Sequence, residues 1–193
     1  MNEIDAMLII DMQNDYYPGG RCELEGILPA HTNTLRLIRR AEEEGVERIY
    51  VRHIAGGDAP FFARGSEGSE LHGELPVQKE DRIVVKAYPN SFRGTGLDAY
   101  LKERGHNRIL VCGAMTHMCI DTTVRAGYDL GYVITLAHDA CATKEMHFGG
   151  ESIPAQTVHR SFVAALGGKF CRVEPTGRLI LFSENTDTRP LSN

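Results

Sequence analysis

The chain has 193 residues, 21 of them basic and 26 acidic, for a net charge of −5. That length suits one sizeable domain with its own core and is cramped for two. An acidic balance without a basic stripe argues against a nucleic-acid surface, and no stretch reaches the roughly 18 apolar residues of a membrane span.

Met1 to Asp11 carries acidic residues and a short apolar run but no basic leader segment, so no signal peptide is read and a cytoplasmic location is expected. Met7 to Ile10 is the first predicted strand and ends at Asp11. From Ala30 to Glu44, Leu35, Leu37, Ile38 and Ala41 lie among charges, the pattern of a surface helix stopping at Gly45. Arg48 to His53 is the second strand. A Gly- and Pro-bearing loop then runs from Ile54 to about Glu80, long enough to suggest a functional role.

Ile83 to Lys86 is a short strand, Gly96 to Arg104 a helix, and Arg108 to Cys112 and Tyr132 to Leu136 two further strands. Between these last two lies a small-residue turn followed by a helix opening close to Cys119. A helix from about Ile153 to Leu166 follows; Ser152 or Glu151 could cap it, and Pro154 fits its first turn. A strand around Phe170 to Val173 completes the pattern, and 183–193 reads as a polar tail, leaving 1–182 as a single domain. The strands are continuous apolar runs, which implies burial on both faces. A β-α-β-α rhythm of such strands gives a three-layer α/β/α domain around a mostly parallel sheet of about six strands.

In an open parallel sheet, ligands bind beyond the carboxyl ends of the strands. Asp11, Lys86 and Cys119 all fall there. A thiol near a helix start meets unpaired N–H groups that favour the thiolate, and a nearby ammonium lowers its pKa from about 8.5. The carboxylate can take the thiol proton and return it to a leaving amine, while turn amides hold an oxyanion. Each residue also has a plain structural reading: a core cysteine, a turn-forming aspartate, a solvated lysine. Five cysteines (Cys22, Cys112, Cys119, Cys141, Cys171), an odd number without Cys-x-x-Cys spacing, form neither a disulfide framework nor a zinc-finger pattern.

Three separated motifs carry a family resemblance: Asp11 to Tyr16, Lys86 ahead of Asn90 to Thr95, and Gly113 to Cys119. In that order they resemble the isochorismatase-like cysteine hydrolases, a family that includes nicotinamidases, N-carbamoylsarcosine and ureidoacrylate amidohydrolases and streptothricin hydrolases. The resemblance runs from about Ala6 to Val173. It implies Asp11, Lys86 and Cys119 as the catalytic triad, a cis peptide between Ala114 and Met115, and an oxyanion hole from the Met115 and Cys119 amides. It further implies a substrate pocket with Tyr16, His53 and Phe92, with Phe61 and Phe62 as further wall candidates, and a homodimer or homotetramer.

Gln13 and Asn14 are expected to fix the turn after the first strand by side-chain hydrogen bonds. The Asp-x-His pair of metal-binding nicotinamidases is missing, since His53-Ile54-Ala55 stands in its place. His53 and His72 are then expected to be hydrogen-bonded pocket walls, and no metal or cofactor is expected.

The resulting expectation is a metal-independent hydrolase acting through a Cys119 thioester on the C–N bond of a small amide, ureide or lactam. Its partners would be that substrate and water, with no nucleic acid and no membrane. An idle binding or scaffold protein of the same fold and an isochorismatase-type ether hydrolase stay open. A nucleotide-binding domain is disfavoured, because the first turn, Asp11 to Asp15, has no glycine fingerprint.

Overall fold

Five apolar residues in a row belong where both faces are covered, and Ala6–Ile10 is a central strand (β1) of the computed structural model, which describes residues 4–181. The other elements follow in order: α1 (Ile27–Glu43), β2 (Glu47–His53), β3 (Arg82–Lys86), α2 (Leu97–Glu103), β4 (Arg108–Ala114), α3 (Asp121–Asp129), β5 (Val133–Ala142), β6 (Met146–Phe148), β7 (Glu151–Ile153), α4 (Ala155–Gly167), β8 (Arg172–Glu174) and α5 (Thr176–Leu181).

Six strands form one sheet in the order β3-β2-β1-β4-β5-β8, every pair parallel. Side chains alternate across it. Met7 and Ile9 join Leu37, Ile38 and Ala41 of α1 and Leu179 of α5 in one core layer. Ala6, Leu8 and Ile10 join Leu97 and Leu101 of α2, Val124 of α3 and Leu166 of α4 in the other. Each fully buried aliphatic side chain contributes about 1.5–3 kcal/mol, so the two layers rather than any one helix hold the sheet. The expected three-layer α/β/α architecture is what is found.

Several boundaries depart from the sequence expectations, each for a local reason. Edge strand β3 leaves Ile83 and Val85 exposed, so burial on both faces fails there. β5 runs past Leu136 through the polar pair His138-Asp139, because Asp139 is satisfied by the N–H and hydroxyl of Thr176, both 2.7 Å away, at the start of α5. Glu151 and Ser152 do not cap α4. They lie in β7 of a small hairpin, and the Pro154 carbonyl takes the amides of Thr157 and Val158 instead. α1 begins three residues earlier than read, after Gly26 in the left-handed region. The 183–193 tail lies outside the described residues.

From β1 the chain builds outward in two directions, to β2 and β3 on one side and to β4, β5 and β8 on the other. Between β1 and β4 the direction of building reverses. The connections leaving those two strands diverge to opposite faces, opening a crevice at their carboxyl ends.

Candidate active site

Asp11 is the first residue beyond β1. Its φ of 52° is a left-handed value that Asp tolerates better than most residues, and its N–H still bonds Val51 O at 2.9 Å. This turn sends the carboxylate into the crevice, where it is 0% exposed. Lys86 ends β3 and pairs in register with His53 at the end of β2. Lys86, 2% exposed, reaches back so that Nζ lies 2.7 Å from Asp11 Oδ2 and 3.2 Å from His53 Nδ1. Burial works against the Lys86 charge, but the charges and hydrogen bonds of Asp11 and Cys119 together raise its pKa, so the ammonium persists. Removing one partner of such a buried pair typically costs about 3–5 kcal/mol.

The thiol arrives from the other side of the crevice. β4 ends at Ala114, and the Ala114–Met115 peptide bond is cis. A π-type turn, Thr116–Ile120, then leads into α3. Met115 O takes the amides of Met118 and Ile120 at 3.0 and 3.2 Å, on either side of Cys119. Gly113 makes the approach possible: its φ is 119°, and a Cβ there would stand 2.0 Å from Ile10 O, the residue just before Asp11.

Cys119 is 2% exposed, and its sulfur lies within 4.8 Å of an Asp11 oxygen and a His53 nitrogen. Asp11 Oδ1, the oxygen not used by Lys86, is buried without a hydrogen-bond partner. Side-chain contacts with both Asp11 and Lys86 act on the thiol.

The electrostatics correct one expectation. Burial pushes the Cys119 thiol well above its ordinary range; the Asp11 charge pushes the same way, and Lys86 opposes them without prevailing. Cys119 also sits in the second half of the π-type turn rather than at a helix opening. The resting sulfur is therefore a neutral thiol facing an acceptor, not a standing thiolate.

The walls are organised by the Gln13 to Tyr16 segment. Gln13 clamps the end of β2, accepting the His53 N–H at 2.7 Å and donating to His53 O and Ser69 O, both at 2.8 Å. Asn14 donates to Glu67 O at 2.9 Å. Both therefore brace the turn through side chains, but toward β2 and the 54–80 loop. Asp15, whose role the sequence did not reveal, is buried and accepts the Phe62 N–H at 2.6 Å, holding Phe62 at a φ of 56°. Tyr16 packs on Phe62 at 4.5 Å and Phe61 at 5.9 Å. Burial first, then the charges of Cys119 and Asp11, raises its phenol pKa. His53 is kept neutral by burial and by Lys86.

Two further expected wall residues make other ring contacts. Phe92, half-buried, stacks on Tyr132 at 5.5 Å and packs against the core layer that also holds Cys119. An aromatic in a motif does not reveal which layer it enters. His72 stacks on Tyr17 at 3.8 Å and adjoins His31, not the thiol.

Asp11, His53 and Cys119 have the donor types of a metal site, but the Lys86 ammonium bonds both Asp11 and His53 and would repel a cation there. Beyond the same sheet edge a cavity of about 320 Å³ is lined by Glu25, Cys141, Thr143 and His159 among others. Neither Asp11, Lys86 nor Cys119 lines it. Among the described residues no helix is long and apolar enough to cross a membrane.

Comparison with known proteins fits this geometry. The isochorismatase domain profile matches residues 5–150. The chain is 40% identical over 172 residues to an uncharacterised isochorismatase family protein, YddQ, of Bacillus subtilis, spanning 89% of this chain and 96% of that one. It is 30% identical over 169 residues to a streptothricin hydrolase of Streptomyces noursei, spanning 85% and 60%. A solved cysteine hydrolase from Pseudomonas syringae superposes with a TM-score of 0.86 at 28% identity, over 91% of this chain and 90% of that one.

Proposed function

From a chain that belongs to the isochorismatase family, and is a hydrolase with it, we propose a cysteine hydrolase that cleaves the C–N bond of a small amide, ureide or lactam without a metal. The observation that carries this reading is the buried Asp11 carboxylate beside the Cys119 thiol, with one oxygen held by Lys86 and the other without a hydrogen-bond partner.

The steps follow from those positions. Asp11 takes the Sγ proton as sulfur forms its bond to the carbonyl carbon, and the carbonyl π electrons move onto oxygen. The Met115 and Cys119 amides are the oxyanion donors. When the C–N bond breaks, protonated Asp11 gives its proton to the departing nitrogen, leaving a thioester. Water then attacks that carbon with Asp11 as base. Collapse expels the sulfur, which regains its proton from Asp11, and a carboxylic acid leaves. Lys86 stays an ammonium throughout and compensates the charge that passes between Asp11 and the sulfur. The name of the streptothricin hydrolase supports hydrolysis as the reaction, and that of the cysteine hydrolase supports the thiol as its agent.

The test is release of amine from a panel of small amides, ureides and lactams, with a vinyl ether included. Wild-type protein should release amine from at least one compound and Cys119→Ala from none. Turnover of the vinyl ether alone, undiminished in Cys119→Ala, would favour the ether-hydrolase reading. Inertness toward the whole panel would favour the idle one.

A further inference from the structure

On the far side of the segment that carries Asp11 and Tyr16, a second group of donors comes together. His31 on α1 and His72 and Glu74 in the 54–80 loop each offer one ligand atom, and these three atoms lie within 4.8 Å of one another. His31 Nε2 is 3.4 Å from Glu74 Oε2. His31 is 4% exposed, and its Nε2 is buried without a hydrogen-bond partner, because the approach to Glu74 lacks hydrogen-bond geometry. Its other nitrogen is engaged: Nδ1 and the Tyr17 hydroxyl are 2.6 Å apart. With the proton on Nδ1, Nε2 presents a lone pair toward His72 and Glu74.

We propose that His31, His72 and Glu74 form a binding site for a divalent transition cation of the zinc type, separate from the thiol. Two imidazoles and one carboxylate are a donor set that suits zinc, cobalt or nickel, with water completing the shell. The surroundings resemble the usual support of a ligating histidine, in which the nitrogen away from the metal is held by a partner. Tyr17 holds His31 by that hydrogen bond and His72 by ring stacking at 3.8 Å. The backbone N–H of His72 donates to Met12 O at 2.9 Å, and its ring Nδ1 accepts the Glu74 N–H at 3.4 Å. Ligands of a tetrahedral zinc stand roughly 3.3 Å apart, so the present spacing closes with a small movement. Glu74, whose side chain is 73% exposed, is free to make it and leaves an entry path from solvent.

A cation here would tie the 54–80 loop to α1 and brace, through Tyr17 and Met12, the segment that sets Asp11 and Tyr16. Its role is structural, and the proposal does not depend on the hydrolase reading.

The experiment is a titration of Cys119→Ala protein, which lacks the active-site thiol, with zinc chloride by calorimetry and with cobalt chloride by visible absorption. One equivalent should bind saturably, with cobalt d–d bands and no thiolate charge-transfer band, and zinc should raise Tm. His72→Ala should weaken binding at least about tenfold and abolish the Tm shift. Glu74→Gln, an exposed change that leaves the core intact, should also weaken it. Absence of saturable binding, binding indifferent to both substitutions, or a thiolate band would overturn the proposal.

Discussion

Two buried thiols lie seven positions apart and show what distinguishes a candidate nucleophile from a core cysteine. Cys112 sits within β4 in the layer beneath α1, fully buried, with burial pushing its pKa up to about 12. Cys119, beyond the end of the same strand, is nearly as buried and is pushed up in the same direction. The difference lies in the neighbours. Cys112 meets the Thr34 hydroxyl at 3.9 Å and the Leu8 carbonyl at 3.8 Å, both neutral. Cys119 meets a carboxylate with one free oxygen and an ammonium. Depth of burial therefore does not separate the two sites. A proton acceptor fixed in advance does.

The most severe way to break this contrast is to remove the sulfur at 119. Cys119→Ala should lower kcat/KM on an active panel compound by on the order of 10⁴-fold or more, measured by amine release. Asp11→Asn keeps the shape of the acceptor but not its basicity, and should cost about 10²–10⁴-fold in kcat. It also leaves Lys86 without its buried counter-charge, so Tm should fall with it. Near-normal turnover in that variant would mean that something other than Asp11 takes the proton.

Gly113→Ala attacks the geometry rather than the chemistry. Its Cβ would collide with Ile10 O, and the φ of 119° is strained for alanine. A loss of about 3 kcal/mol or more in urea unfolding is expected, with activity reduced in the protein that remains folded. Native stability would show that β1 can shift without cost.

The pH profile sharpens the claim of a neutral thiol. The Cys119 and Lys86 pKa values are both raised, so each group keeps its proton above its ordinary range. His53, lowered by burial, is already neutral. None of the three changes charge between about pH 7 and pH 9, where free thiols ionise near 8.5. kcat/KM should then be flat across that window; a rise through it of nearly tenfold per unit would mean that a standing thiolate is the reactant.

The smallest effect belongs to the control. Cys112→Ala should leave kcat/KM within about twofold while costing about 1–2 kcal/mol of stability through the small cavity it opens.

Much of this site was legible because its residues follow strand ends. Asp11 and Lys86 stand where an apolar run stops and Cys119 a short turn beyond one, and a parallel sheet gathers such ends on one edge whatever their separation in sequence. His53 was read only through the family resemblance, and its register opposite Lys86 emerges from the pairing of β2 with β3. The electrostatic state of Cys119 was not legible. Its thiol is raised chiefly by burial under residues far away in sequence, and no local pattern reports that. The stacking of Phe92 on Tyr132 was not legible, because Tyr132 comes from beyond α3, far away in sequence. Glu151 and Ser152 were misread as a cap because a three-residue strand is too short to show a period.

The most direct measurement maps the acyl group itself. Wild-type protein turning over an amide from the panel is quenched in acid, digested and analysed by peptide mass. The account predicts the mass of the acyl fragment on the peptide containing Cys119, none on Cys112, and none anywhere in Cys119→Ala. Turnover without any acylated cysteine under rapid quench, retained in full by Cys119→Ala, would contradict it.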